Sequence, residues 1–99
     1  MAKRLSWSSR AIADMNEIWE YTAERWGAEQ ALRYTTDIQE RCRTAPAGVS
    51  RFQEVSVHGM TFVRIRSGSH YAYLCELESE FLVVRILHGR QDPSTQLRP

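Results

Sequence analysis

The side chains best suited to chemistry in this sequence are imidazoles and arginines gathered in its C-terminal half. Val55 to Cys75 holds His58, Arg64, Arg66 and His70 with no acidic residue, and Phe81 to Gln91 holds Arg85, His88 and Arg90, again with none. Arginine presents a planar fork that matches carboxylate or phosphate, and histidine exchanges protons near neutral pH. Two chemistries fit these residue types. The arginines can hold an acidic partner segment. Alternatively, Arg64, His70, Arg85 and His88 can hold and cleave RNA, with His or Arg moving protons. A cleaving site brings a base and an acid together, whereas these candidates are scattered singles. Binding is therefore the expected role, and no catalytic set is assigned.

Other chemistries lack their residues. There is no Gly-rich phosphate loop, no nucleophile elbow and no metal-ligand spacing, so neither metal nor cofactor is expected. Cys42 and Cys75 lie 33 positions apart without a CxxC pattern and read as free thiols of a cytoplasmic protein. The 99 residues suffice for one domain, 1–99, with 89–99 as a polar tail ordered in part. Thirteen Lys and Arg balance twelve Asp and Glu, so bulk charge makes no case for nucleic acid or membrane. All the basic residues except Lys3 are arginines. No stretch is apolar enough to span a bilayer, and the N-terminus lacks the apolar core of a signal peptide.

The elements that must position these residues follow from periodicity. Leu5-Ser6-Trp7 alternates as a short strand. Ser8 or Ser9 caps a helix in which Ala11, Met15, Ile18 and Thr22 recur at helical spacing, and Gly27 ends it. Asp14, Glu17, Glu20 and Glu24 read as its solvated acidic face. A second helix is expected from Ala28 to about Arg43 on the line Ala31, Tyr34, Ile38 and Cys42, antiparallel to the first. Pro46 and Gly48 suggest a loop over Arg43–Arg51. The period then changes to two. Phe62–Arg66, His70–Leu77 and Phe81–His88 read as a three-stranded meander with turns at Ser67-Gly68-Ser69 and Glu78-Ser79-Glu80. Val55-Ser56-Val57 extends the first of these through a bend at His58-Gly59. The expected class is α+β: an N-terminal strand, an antiparallel helical hairpin and a three-stranded antiparallel meander, with the helices on one face of the sheet.

Alternation in the last strand suggests which face is which. Leu82, Val84 and Ile86 are all aliphatic and are expected against the helices, with Val63 and Ile65. The opposite face then carries Phe62, Arg64, Arg66, His70, Leu74, Phe81, Val83, Arg85 and Leu87. It is too large and too apolar to stay open on a lone chain. The tail, a second copy or a partner is expected to cover it, and Trp26 beside Gly27 is a further contact residue.

The order of these features resembles a known family. Ser8-x-x-Ala11-x-x-Asp14-Met15-x-x-Ile18-x-x-Tyr21, Trp26-Gly27, Ala31 and Tyr34 are similar to the N-terminal half of the ParE toxins of the RelE/ParE superfamily. Ser67-Gly68-Ser69-His70-Tyr71 and Val84-Arg85-Ile86-Leu87-His88-Gly89-Arg90-Gln91-Asp92 are similar to the C-terminal half. The resemblance implies the RelE/ParE-like fold and a cytoplasmic growth inhibitor from a type II toxin–antitoxin, plasmid-stabilising module. It implies a ParD-like antitoxin, with higher-order toxin–antitoxin complexes as an option. ParE toxins with an assigned target are understood to poison DNA gyrase, whereas RelE- and YoeB-like members cut mRNA on the ribosome. Where the YoeB-like pattern has a catalytic Arg early in the middle strand, this chain has His70. Where that pattern ends in His-Tyr, it has His88-Gly89. The Lys-rich site of RelE has no counterpart. Gyrase is therefore the expected target, with ribosome-dependent mRNA cleavage or an inert antitoxin-binding remnant as alternatives. The antitoxin is expected on Phe62, Arg64, Arg66, Leu74, Phe81, Val83, Arg85, Leu87 and Trp26.

Overall fold

A computed structural model describes residues 3–47 and 52–97. Strand β1 (Arg4–Trp7) leads into helix α1 (Ser9–Trp26), which turns at Gly27 into α2 (Ala28–Ala47). Four strands follow: β2 (Gln53–Val57), β3 (Met60–Ser67), β4 (His70–Glu76) and β5 (Glu80–His88). A final turn of helix, α3, covers Pro93–Gln96. The sheet order is β1-β5-β4-β3-β2, antiparallel except that β1 runs parallel to β5. The meander therefore has four strands, because Gln53–Val57 pairs with β3 as a strand of its own.

The helices start and stop where capping chemistry requires. Ser8 Oγ accepts from Ala11 N at 3.0 Å, satisfying one of the free amides of the first turn. Gly27 has φ +96°, where a side chain would be strained, and its amide closes on Ala23 O at 2.9 Å. Helix α1 buries Ala11, Asp14, Met15, Ile18 and Thr22, and the Thr22 hydroxyl is satisfied by Ile18 O. Helix α2 runs one turn beyond the expected Arg43. Burial of Ala45 beside Cys42 holds that turn in place despite Pro46. Cys42 and Cys75 are both unbonded, and burial pushes the Cys42 thiol up to about 12.

Two apolar clusters fill the molecule, one on each face of the sheet. Between helices and sheet lie Met15, Ile18, Ile38, Val63, Ile65, Leu74, Phe81, Val83 and Ile86. On the outer face Val57, Phe62, Tyr73 and Leu87 pack with Leu97 of the tail.

The expected faces hold for β3 and for Ile86 and Leu87, and are reversed elsewhere. Tyr73 pairs with Arg85, but Leu74 pairs with Val83, so Val84 is an extra residue that inverts the alternation of β5. Phe81 and Val83 therefore face the helices, while Leu82 and Val84 do not. Ala72 and Leu74 are likewise in the helix-side core, and Tyr71, Tyr73 and Cys75 face outward. The Ser8 amide donates to Val83 O at 2.9 Å and its hydroxyl to Val84 O at 2.7 Å, so the cap of α1 satisfies the carbonyls at the bulge. Leu74 is fully buried beside this irregularity. Leu74→Ala is expected to cost about 2–5 kcal/mol, as for other large aliphatic truncations in a core. Urea unfolding of both proteins measures it, and a loss under about 1 kcal/mol would refute this placement.

Candidate functional site

Beyond Trp7 the edge of β5 has no neighbouring strand, and α1 takes its place. Asp14 faces this edge, 7% exposed, rather than belonging to the solvated acidic face expected from the sequence. Its Oδ2 accepts from Ile86 N at 3.0 Å and from Arg85 Nε at 2.8 Å, while Oδ1 accepts from Arg85 Nη2 at 3.1 Å. Arg85 Nη1 donates to Gln96 O at 3.2 Å. One buried, two-point ion pair thus ties together α1, β5 and the tail. Arg85 is itself only 8% exposed and already committed. It is not the open cation that alternation suggested.

His70 and His88 face one another across β4 and β5, with ring centroids 5.2 Å apart and planes perpendicular. They line a cavity of about 460 Å³ beneath α1, with Arg10, Asp14, Glu17, Tyr21 and Arg85. Arg90 N donates to His88 Nδ1 at 3.1 Å, so the neutral ring carries its proton on Nε2. Tyr34 Oη lies 2.6 Å from His70 Nδ1 and accepts from Ser69 N at 3.0 Å. The tyrosine also covers Gly68, whose φ is +59° and where a Cβ would come within 2.7 Å of the ring. The β3–β4 turn is thereby seated against α2.

Burial pulls the His70 imidazole down to about 4, the nearby His88 adding to the shift and Asp14 opposing it. Between the ordinary histidine value of about 6.5 and that lowered value, the unfolded chain binds the extra proton and the folded chain does not. His70 therefore withdraws stability as pH falls through this window. The melting temperature is expected to drop between pH 7.5 and pH 4.5 by more in wild type than in His70→Asn. An equal drop in both would show that another group governs the acid limb.

The outer face divides into an apolar groove and a basic hollow. The groove, about 540 Å³, runs between Met60, Phe62, Leu77, Leu82 and Val84, with Leu97 of the tail as one wall and Arg10 and Arg85 at its margin. The tail is anchored there by the buried Leu97 and by a hydrogen bond between His58 Nε2 and Ser94 O. It covers part of the face and leaves the groove open. The hollow, about 360 Å³, is lined by Phe52, Gln53, Arg64, Arg66 and Tyr71.

Of the four residues considered for RNA cleavage, His70, Arg85 and His88 line one cavity and Arg64 stands apart. Arg64 is on the outer face, His70 and His88 are on the helix side, and Arg85 is held by Asp14. Of the residues expected to meet a partner, Phe62, Arg64, Arg66 and Leu87 share the outer face. Leu74, Phe81 and Val83 do not, and Trp26, 64% exposed, stands at the far tip of the hairpin. Met60, Leu77, Leu82, Val84 and Leu97 were missed. Asp14 carried a readable signal, because it lies three residues after Ala11 and four before Ile18, on the apolar line of α1.

A helical hairpin laid across one face of this sheet, with β1 parallel to β5 and a partly covered outer face, is the arrangement of a chain whose family the sequence comparisons identify as toxins of type II toxin–antitoxin systems. The family model described as "ParE toxin of type II toxin-antitoxin system, parDE" matches residues 5–93, and the chain belongs to that family. It is 32% identical to Toxin ParE1 of Mycobacterium tuberculosis over 98 residues, covering 98% of this chain and 100% of the relative. It is 33% identical to Toxin ParE of Escherichia coli over 91 residues, covering 91% and 88%. The solved structure "Chromosomal ParDE TA system from P. aeruginosa" matches with a TM-score of 0.75 at 22% identity, covering 88% of this chain and 96% of that one. No helix among the described residues is long and apolar enough to cross a membrane.

Proposed function

We propose that this toxin poisons DNA gyrase in the cytoplasm and is neutralised by a ParD-like antitoxin. The observation that carries the gyrase reading is the separation of Arg64 from His70 and His88 by the thickness of the sheet. In-line cleavage of RNA needs proton-transferring groups within hydrogen-bond reach of the held phosphate. Arg85, which lines the cavity with His70 and His88, is neutralised by Asp14. Inhibition by binding needs no such assembly.

The antitoxin is assigned to the outer-face groove. Its walls are apolar and its margin carries the exposed Arg10, so it fits an amphipathic segment with aliphatic side chains inward and a carboxylate toward the rim. The tail leaves this groove open while burying the neighbouring cluster, so an incoming segment finds a formed site. Such a segment can be disordered beforehand and fold on binding.

Inducible expression with and without the antitoxin encoded alongside tests both parts. Growth arrest with DNA breaks and the SOS response, relieved by the antitoxin, is expected. Ribosome-dependent mRNA cleavage would replace gyrase with the endonuclease alternative, and tight antitoxin binding without any arrest would identify an inert remnant.

A further inference from the structure

We propose that the basic hollow on the outer face binds single-stranded polynucleotide, holding phosphates on Arg64 and Arg66 and stacking a base on Tyr71 or Phe52. The two arginines are two positions apart on β3, so both project from the same face, with backbone origins roughly 6.6 Å apart. That span suits successive phosphates of an extended strand. Each guanidinium is positioned by neutral groups alone. Arg64 lies over the Tyr71 ring, 4.9 Å from its centroid, and donates to Gln53 Oε1. Arg66 Nε donates to Gly68 O at 3.2 Å. The Nε of Arg64 is buried without a hydrogen-bond partner.

Neither guanidinium is paired with a carboxylate among the described residues, and no carboxylate lines the hollow. Register explains this, since Gln53 is opposite Arg64, while Glu54 is opposite Val63 and turns to the other face. Two preorganised cations left unneutralised favour an anion. The aromatic rings favour one that carries flat bases, because stacking on such rings tolerates any sequence. A duplex keeps its bases stacked on one another and offers none to Tyr71 or Phe52. The hollow has no imidazole to move a proton, so binding occurs without cleavage.

The test is fluorescence anisotropy of labelled 15-mers, oligo(dT) and oligo(rU), titrated with the full chain at several salt concentrations. Saturable binding of either strand is expected; the stronger arm distinguishes DNA from RNA as the source. Arg64→Gln/Arg66→Gln is expected to weaken it by about tenfold or more and to make the log–log salt slope shallower by about 1.4, or 0.7 per phosphate contact. Tyr71→Leu is expected to weaken binding about tenfold with little change in that slope. Arg33→Gln, on the exposed surface of α2, is expected to match wild type. Circular dichroism checks folding, and if the double variant does not fold, Arg66→Gln with its exposed side chain carries the same test. The proposal is overturned if neither oligonucleotide binds, if Arg33→Gln weakens binding as much as the double variant, or if the oligo(rU) is cut. It is also overturned if poly-glutamate binds the hollow and the oligonucleotides do not.

Discussion

Arg85→Ala is expected to destabilise the folded chain by about 3–5 kcal/mol, because it leaves the buried Asp14 carboxyl without its partner. Asp14→Ala is expected to cost a similar amount, since it strands the Arg85 guanidinium and also removes the acceptor for the Ile86 amide. A paired replacement of similar shape, Asp14→Leu with Arg85→Met, is expected to recover much of the loss. Buried ion pairs often give little net stabilisation relative to well-packed apolar groups, while breaking one side is costly. Urea unfolding of the three variants measures these effects. A loss below about 1 kcal/mol for Arg85→Ala would mean that the pair is open to solvent and that Arg85 is free to meet a partner. If the loss is large, weaker antitoxin binding by this variant reports unfolding rather than a missing contact.

Leu82→Asp is the second change with a large expected effect, and here the effect is on binding. Leu82 lies in the apolar groove and is only half-buried, so the chain can fold with a carboxylate there. Against an antitoxin's apolar side chain the same carboxylate is desolvated without a partner, which is expected to cost about 2–4 kcal/mol of affinity. Calorimetry on the folded variant checks this, with Arg33→Ala on the opposite surface expected to bind like wild type. Unchanged affinity for Leu82→Asp would move the antitoxin to another surface, the helical hairpin near Trp26 being the first to examine.

Local chemistry was readable from the sequence wherever a residue type is tied to a backbone position. Ser8 or Ser9 announced the start of α1, Gly27 its end, and Ser67-Gly68-Ser69 the β3–β4 turn, so the α+β class could be written before any contact was known, although β2 was read as an extension of β3. The faces of β5 could not. Leu82, Val83 and Val84 are all aliphatic, so the alternation fits either register until a charge is met. Arg85 then appeared to mark an open face. Two facts from elsewhere in the chain reversed that reading: the extra residue at Val84, accommodated by Ser8, and the carboxylate of Asp14, seventy-one positions away. The same inversion moved Leu74, Phe81 and Val83 inward and brought Leu82 and Val84 to the groove. The arginines of β3 were placed correctly, because Phe62-Val63-Arg64-Ile65-Arg66 alternates without interruption.

The most direct test of the functional reading uses purified components. The toxin is incubated with DNA gyrase, ATP and supercoiled plasmid, then treated with detergent and protease to reveal trapped breaks. Linear plasmid that accumulates with toxin and disappears when antitoxin is added first is the predicted result. Intact plasmid at every toxin concentration, with the same preparation cutting mRNA on programmed ribosomes, would contradict it.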